Sequence, residues 1–208
     1  MATIGEEVQK RGFAFRSEHC TDMATDALAL AIGTPMALGP GSPVHVLTPA
    51  VMTERPPNSY SGLYGLAPFP MHTDLAHHRL PPRYFILRCR VPAECVGTTL
   101  IDSADIVADA GVSLLSRGLV QPRRPRAGTR PLLRLFDPAV GLFRWDIEFL
   151  RPASDAGREA VSAVADMLER QSPARIALAR RGDLLVIDNW RMVHGRTAVS
   201  AADRHRRI

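Results

Sequence analysis

Two histidines and one aspartate, widely separated along the chain, place the strongest constraint on how this sequence can fold. His72 and Asp74 form a His-x-Asp pair, and His194 lies far downstream. Two imidazoles and one carboxylate are the ligand set that holds a non-haem iron(II) ion on one side and leaves the other side open for chemistry. Residues i and i+2 of a strand point the same way, so His72 and Asp74 can address one ion if they lie at the start or end of a strand. A shared ion also requires a fold that brings His194 beside them.

Each member of this set is weak evidence on its own. A His-x-Asp pair is expected about 0.4 times by chance in a chain of this composition, so it needs context. His194 is the best-placed third ligand, because it follows a buried strand at residues 184–187 and precedes Gly195, which lets the backbone pass closely. A histidine after a core strand is more often packed than metal-bound. His77 and His78 are adjacent and would point to opposite sides of a strand, so we expect them in a surface loop.

The bulk properties indicate one ordinary globular domain. A chain of 208 residues can bury a single core without disulfides, and we predict one domain over residues 1–208. Three cysteines without C-x-x-C spacing suggest neither a zinc site nor a disulfide framework. The first residues are acidic where a signal peptide would be basic, and no apolar run approaches the length of a membrane span. We therefore expect a cytoplasmic protein that does not bind membranes, and homo-oligomerisation stays open.

The positive charge of the chain does not predict nucleic-acid binding. The formal net charge is +5, but Lys10 is the only lysine among 26 basic residues. Arginine without lysine is more typical of a genome-wide compositional bias than of a phosphate-binding face. Aromatic residues make up 6% of the chain and show no repeated spacing, which argues against base-stacking platforms. The expected partner is a small-molecule substrate.

The hydrophobic pattern predicts many short strands with a few helices outside them. Helices are expected at residues 21–33, capped by Thr21, at 103–117, capped by Ser103, and at 154–170. Strands are expected at residues 13–15, 44–47, 83–91, 98–102, 132–136, 142–145, 175–179 and 184–187. The predicted fold class is α+β, mainly β, with a barrel-like or sandwich core buttressed by α-helices.

Four stretches of the sequence resemble one enzyme family. They are Phe69-Pro70-Met71-His72-Thr73-Asp74, Pro81-Pro82-Arg83-Tyr84 with the strand that follows, Gly97-Thr98-Thr99-Leu100, and Asp188-Asn189 through Arg196 with Asp203-Arg204 after it. Together they resemble the TauD/TfdA-type, clavaminate-synthase-like Fe(II)/2-oxoglutarate-dependent dioxygenases. The match runs from about residue 60 to the C-terminus. The resemblance implies a double-stranded β-helix, or jelly-roll, core.

The resemblance also implies roles for individual residues. His72, Asp74 and His194 would bind Fe(II), and Arg204 would pair with the far carboxylate of 2-oxoglutarate. Thr99 would hydrogen-bond the same carboxylate, since a guanidinium and a hydroxyl can together satisfy a buried anion. Arg206 or Arg207 could replace Arg204, because strand alternation puts Arg204 and Arg206 on one face and Arg207 on the other.

The implied reaction consumes O2 and converts 2-oxoglutarate to succinate and CO2 while an unactivated C–H bond is hydroxylated, desaturated or cyclised. Related halogenases have a small residue in place of the aspartate, so Asp74 favours these outcomes over halogenation. Arg134, Arg144 and Arg196 could line the mouth of the site and favour an anionic or amino-acid-like substrate, although arginines on such strands are more often solvated than functional. The alternatives are a catalytically silent small-molecule-binding or carrier-interacting module, and a zinc hydrolase, for which no glutamate base has the usual spacing.

Overall fold

The chain is a mixed α and β protein. The computed structural model describes residues 2–36, 42–125 and 128–208. The α-helices in these ranges are α1 (Ile4–Arg11), α2 (Thr25–Ile32), α3 (Tyr60–Tyr64), α4 (Ser103–Ala110), α5 (Val112–Arg117) and α6 (Asp155–Arg170). The strands are β1 (Phe13–Arg16), β2 (Phe69–His72), β3 (Tyr84–Arg88), β4 (Gly97–Asp102), β5 (Leu119–Pro122), β6 (Leu133–Arg134), β7 (Phe136–Asp137), β8 (Leu142–Phe143), β9 (Leu150–Pro152), β10 (Ala174–Ala177), β11 (Leu184–Asp188) and β12 (Met192–Arg196). No helix among the described residues is both long and apolar enough to cross a membrane.

Two antiparallel sheets form the centre of the molecule. Sheet I has the strand order β1-β11-β3, and sheet II has the order β10-β4-β12-β2. One cluster of buried side chains draws on both sheets, among them Leu185 and Ile187 of β11 and Leu100 of β4. The sheets therefore pack against each other, and we call the region lined by this cluster the inter-sheet space. Truncation of one such leucine to alanine costs about 2–5 kcal/mol of folding free energy.

Helices cover the outer faces of both sheets. On sheet II, Ile101 and Val193 pack with Ile106 of α4, Leu115 of α5 and Val164 of α6. On sheet I, helices α1 and α2 cover the outer face through a smaller cluster, which comprises Val8, Ala14, Leu28, Leu184 and Val186. Because strands β4, β11 and β12 are covered on both faces, they are almost entirely buried.

The ends of two predicted helices are set by side-chain caps and by a glycine. The helix predicted at residues 154–170 is confirmed as α6, and the Ser154 hydroxyl accepts the amide hydrogen of Gly157 at 2.9 Å. The helix predicted at residues 103–117 is interrupted at Gly111, whose φ is 85°. Its N-cap is Asp102, not Ser103, since the Asp102 carboxylate accepts from the Ala104 amide at 3.0 Å.

The N-terminal third departs most from expectation. The helix predicted at residues 21–33 begins only at Thr25, and Thr21 does not cap it. Residues 44–47 do not form a strand. Helix α1 was not predicted, although Thr3 and Glu6 form a capping box at its start and provided a sequence signal for it.

Candidate metal centre

Strand pairing places the two histidines side by side. In the antiparallel pair β2–β12, His194 lies directly opposite His72, and their ring centroids are 4.7 Å apart. Directly opposed residues of paired strands share a face of the sheet. Both side chains are buried, with exposures of 6% for His72 and 4% for His194. The backbone register of sheet II therefore brings together two residues that are far apart in sequence.

Asp74 completes a cluster of three metal-ligand side chains. It lies in the turn that follows β2, with Oδ1 at 3.8 Å from His72 Nε2 and Oδ2 at 3.5 Å from His194 Nε2. One ligand atom from each residue lies within 4.8 Å of the other two. Among the described residues this is the group whose donor atoms converge in this way.

Several atoms of the cluster are buried without a hydrogen-bond partner. They are Oδ2 of Asp74 and both ring nitrogens of His194. A buried polar atom without a partner costs free energy, and a divalent cation between these donors would satisfy them. Two imidazoles and one carboxylate suit a first-row transition metal with open coordination positions, so the residues fit iron(II).

Hydrogen bonding and burial prepare His72 to be a ligand. Its Nδ1 lies 2.8 Å from the carbonyl oxygen of Pro70, and because a carbonyl only accepts, Nδ1 carries the hydrogen. The lone pair is then on Nε2, which faces Asp74 and His194. Burial, together with the neighbouring His194, lowers the pKa of His72 to about 4, so the ring is neutral at neutral pH.

The carboxylate of Asp74 is held in its charged form. Burial alone would raise its pKa, but the interactions with His194 and His72 outweigh that effect and hold the pKa of Asp74 below its ordinary value. The cluster therefore offers the neutral imidazole of His72 and the anionic carboxylate of Asp74 at neutral pH, beside the imidazole of His194.

Aromatic rings fix the orientation of both imidazoles. Tyr60 of α3 stacks on His72 with ring centroids 4.1 Å apart, and Phe85 of β3 stacks on His194 at 5.5 Å. Burial raises the pKa of the Tyr60 hydroxyl well above its usual value, so this ring stays neutral. Neither ring was predicted from the sequence, since only the tertiary packing brings the two rings to the histidines.

Side chains from elsewhere hold the backbone around Asp74. The Asn189 side chain, which directly follows β11, accepts from the Asp74 amide at 2.7 Å and donates to the carbonyl oxygens of Asp74 and Pro82, each at 3.0 Å. One residue earlier, the Thr73 amide donates to the Trp145 carbonyl oxygen at 2.7 Å. Asn189 is fully buried, and its position just after a buried strand was the signal that could have identified it.

The structure does not bring Arg204 to the metal cluster. Arg204 lies in a 3-10 helix, Ala201–His205, with its side chain 44% exposed and Nη2 at 3.3 Å from Glu54 Oε1. The expected strand alternation fails here, because the turn of this helix directs residue 204 outward. Extended backbone resumes at Arg206, which is buried at 6% exposure with Nε unpartnered, and Ile208 packs in the inter-sheet space.

Thr99 also points away from the cluster. It lies opposite Gly195 in the β4–β12 pair, whereas His194 lies opposite Leu100, so Thr99 and His194 lie on opposite faces of sheet II. The Thr99 hydroxyl donates to Met71 Sδ at 3.4 Å. By the same alternation, the buried Thr98 shares the face of His194.

The other arginines considered for the mouth of the site have different surroundings. Arg134 is exposed on β6, and Arg144 is buried and donates to backbone carbonyls. Arg196 donates to the carbonyl oxygens of Gly65 and Ala67 and lies over the ring of Phe69, 3.6 Å from its centroid. Of these three arginines, only Arg134 is a solvated strand residue.

Comparisons with known proteins confirm the resemblance to the TauD/TfdA-type, clavaminate-synthase-like oxygenases. The chain is 31% identical over 147 residues to clavaminate synthase 2 of Streptomyces clavuligerus, a match that covers 62% of this chain and 44% of that protein. No family model matches the chain.

Solved structures share its fold. Asparagine oxygenase in complex with Fe(II), 3-hydroxyasparagine and succinate superposes with a TM-score of 0.56 at 20% identity, covering 73% of this chain and 51% of that one. The non-haem iron oxygenase OrfP in complex with Fe, succinate and (3S)-hydroxy-L-Arg gives a TM-score of 0.59 at 24% identity, covering 78% and 53%. The chain thus spans about half the length of the relatives that it matches.

Proposed function

We propose that this chain is an Fe(II)/2-oxoglutarate-dependent oxygenase that oxidises an unactivated C–H bond of a small, amino-acid-like substrate. The observation that carries the proposal is the convergence of His72, Asp74 and His194, with ligand atoms within 4.8 Å of one another and several of them buried without partners. The similarity to clavaminate synthase 2 supports it. We further propose that residues 1–208 form one domain, whose two facing sheets are a double-stranded β-helix, and that it works in a reducing cytoplasm, where its three free cysteines suit the redox conditions.

His72, Asp74 and His194 would hold the iron. The chemistry that iron(II) supplies in such a site is the activation of O2, coupled to the conversion of 2-oxoglutarate to succinate and CO2. The chain contributes a neutral His72 whose Nε2 lone pair faces the cluster, and a carboxylate that remains ionised. The stacked rings of Tyr60 and Phe85 exclude water from one side of each imidazole.

We propose Arg206, in place of Arg204, as the residue that binds the far carboxylate of 2-oxoglutarate. Arg206 is buried and interacts with Cys89, a member of the cluster that lines the inter-sheet space, and this cluster also contains Leu100, the residue opposite His194. Burial lowers the pKa of Arg206, and burial together with the charge of Arg206 lowers the pKa of Arg196 to about 10. The buried guanidinium of Arg206 and the half-buried guanidinium of Arg196 repel each other, so an anion between or beside them would be stabilised.

Thr98 is the hydroxyl on the same face. It is 5% exposed and lies opposite Arg196 in the β4–β12 pair. A hydroxyl beside a guanidinium can share a buried carboxylate, which is the role that the resemblance had assigned to Thr99. We therefore propose Thr98 for that role.

The proposed substrate class rests on the structural relatives. Asparagine oxygenase was solved with a hydroxylated asparagine, and OrfP with a hydroxylated arginine and with L-canavanine. Each of these is an amino acid or a close analogue. We propose an amino-acid-like substrate for this chain also.

Two measurements test the proposal. Anaerobic addition of Fe(II) and 2-oxoglutarate should produce a weak visible metal-to-ligand charge-transfer band, and succinate release should rise above background for a member of an amino-acid and carboxylate panel. His72→Ala serves as the blank in both. A charge-transfer band without substrate-dependent succinate release across the panel would favour the catalytically silent binding module. Absence of both in the wild-type protein would contradict the assignment.

A further inference from the structure

The segment that carries Asp74 is not held by strand pairing. Strand β2 ends at His72, and residues 74–80 form turns and bends that pair with no strand. Leu75 adopts a left-handed backbone conformation with φ of 56°, which is unfavourable for a leucine. Other parts of the protein must therefore impose this conformation on the segment.

The guanidinium of Arg144 donates three hydrogen bonds to backbone carbonyl oxygens of this segment. Its Nη1 donates to the carbonyl oxygens of Ala76 and His78, each at 2.7 Å, and its Nη2 donates to that of Arg79 at 3.1 Å. The side chain is 3% exposed. One planar guanidinium thus fixes three carbonyls within five residues of Asp74.

The surroundings of Arg144 are unusual for a buried positive charge. Among the described residues, the hydrogen bonds of its guanidinium all go to backbone carbonyls and none to a carboxylate, and Nε is buried without a partner. Burial lowers the pKa of Arg144 to about 10, so the group remains charged at neutral pH. Burying a charge without an ion-pair partner is expensive. The contacts of this guanidinium therefore point to a role in fixing the backbone of the segment after β2.

We propose that Arg144 is a positioning residue that holds the segment after β2 in the conformation that directs the Asp74 carboxylate at the two histidines. This inference rests on the proposed function, because it assigns Arg144 a role in metal binding. Asn189 fixes Asp74 itself from the side of sheet I, and Arg144 fixes the carbonyls that follow. Without the guanidinium, the segment loses three hydrogen bonds and the strained Leu75 can relax, which displaces the carboxylate.

Arg88 offers a matched control. It is also a buried arginine, 8% exposed, whose guanidinium donates to the carbonyl oxygens of Met23 and Cys20 and to the Thr25 hydroxyl. It therefore fixes a different loop in the same chemical way. Loss of Arg88 should lower stability without disturbing Asp74.

The experiment titrates the full chain with Co(II) under anaerobic conditions and follows the visible d–d spectrum, which reports ligand geometry. Arg144→Met should weaken Co(II) binding about 10- to 100-fold, the range found when residues that orient metal ligands are removed. Arg144→Lys keeps the charge but loses the planar fork and should lie between Arg144→Met and wild type, with an altered spectrum. Arg88→Met and Arg88→Lys should bind Co(II) within about twofold of wild type. Thermal unfolding of all four variants gives the accompanying loss of stability.

Each outcome separates this inference from the proposed function. If wild-type protein does not bind Co(II), the metal centre itself is wrong. If wild type binds Co(II) and Arg144→Met retains its affinity and spectrum, the metal centre stands and the positioning role is overturned. An equal loss of affinity in Arg88→Met would also overturn it, because the effect would then reflect general destabilisation. If Arg144→Lys fails to fold while Arg88→Lys folds, the positioning role is also overturned, because Arg144 would then support the whole fold.

Discussion

His72 and His194 lie on strands that pair through their backbones, whereas Asp74 lies in a turn after the end of such a strand. His72 and His194 are directly opposed in the β2–β12 pair, and all five residues of β12 also pair with β4 on its other side. Asp74 is placed by side chains from distant segments, chiefly Asn189. The candidate centre thus combines two histidines held by strand pairing in sheet II with an aspartate in a turn that side chains from elsewhere hold in place.

The proposed co-substrate site shows the same contrast. Thr98 is fixed on β4 within sheet II, and Arg206 lies just after a 3-10 helix, next to a single bridge between Arg207 and Val91. Sites built on strands or helices hold their geometry more accurately than sites on loops. The difference indicates that backbone pairing holds the groups on strands in position, whereas the groups on loops depend also on the side chains that support them.

The largest expected effect is the removal of a strand-borne ligand. His194→Ala should weaken Fe(II) or Co(II) binding by about three orders of magnitude or more, because it removes one of three converging donors from a position between buried strands. Isothermal titration calorimetry with Co(II) gives the affinity directly. His45→Ala, at an exposed position, is the control and should bind Co(II) as wild type does. Retention of wild-type affinity by His194→Ala would exclude the proposed ligand set.

Removal of the loop-borne ligand is expected to have a smaller but still large effect. Asp74→Ala takes away the anionic donor and should sharply weaken Co(II) binding, while the two imidazoles keep their positions in sheet II and retain residual affinity. The affinity should therefore fall between that of wild type and that of His194→Ala. The same calorimetric titration checks this order. Full affinity and turnover in Asp74→Ala would contradict the assignment of Asp74.

The parts of the fold that local patterns determine were predictable from the sequence. The apolar runs of β3, β4 and β11 and the cap of α6 are local features, and each element formed where its pattern indicated. The convergence of the three metal-ligand residues followed from the family resemblance and not from the pattern alone. The hydrogen-bond partners of Arg144 and Asn189 could not be predicted because they are distant in sequence, although the position of Asn189 directly after a buried strand was a local signal.

The predictions for Thr99 and Arg204 at the proposed co-substrate site both depended on the direction in which the side chain points. Both faces of β4 are covered, so its burial pattern contains no alternation that distinguishes the face of Thr98 from the face of Thr99. Arg204 was expected on a strand, but the Ser200 hydroxyl accepts from the Asp203 amide at 3.2 Å and starts a 3-10 helix there. Side-chain direction in such segments depends on tertiary packing and on capping.

The terminal arginines give a matched pair that tests the loop-borne part of the co-substrate site. Arg206→Met should weaken 2-oxoglutarate binding about 100-fold, because removing one partner of a buried charge pair costs about 2–5 kcal/mol. Arg204→Met removes only an exposed ion pair with Glu54 and should change the affinity by less than about twofold. The charge-transfer band, titrated anaerobically with 2-oxoglutarate, measures both. The opposite order would favour Arg204 over Arg206 as the proposed 2-oxoglutarate-binding residue.

The smallest expected effect concerns the two adjacent threonines of β4, which differ mainly in the face of sheet II that they occupy. Thr98→Val removes a hydroxyl on the face of His194 and should raise the apparent Kd for 2-oxoglutarate about 2- to 10-fold, since one hydrogen bond contributes about 0.5–1.5 kcal/mol. Thr99→Val loses only a contact with the Met71 sulfur on the other face and should leave that Kd unchanged. Valine has nearly the shape of threonine and suits a strand, so neither change should disturb the register. A larger effect at Thr99 than at Thr98 would mean that 2-oxoglutarate lies on the helix-covered face of sheet II, and the strand-borne assignment of this carboxylate site would have to be reversed.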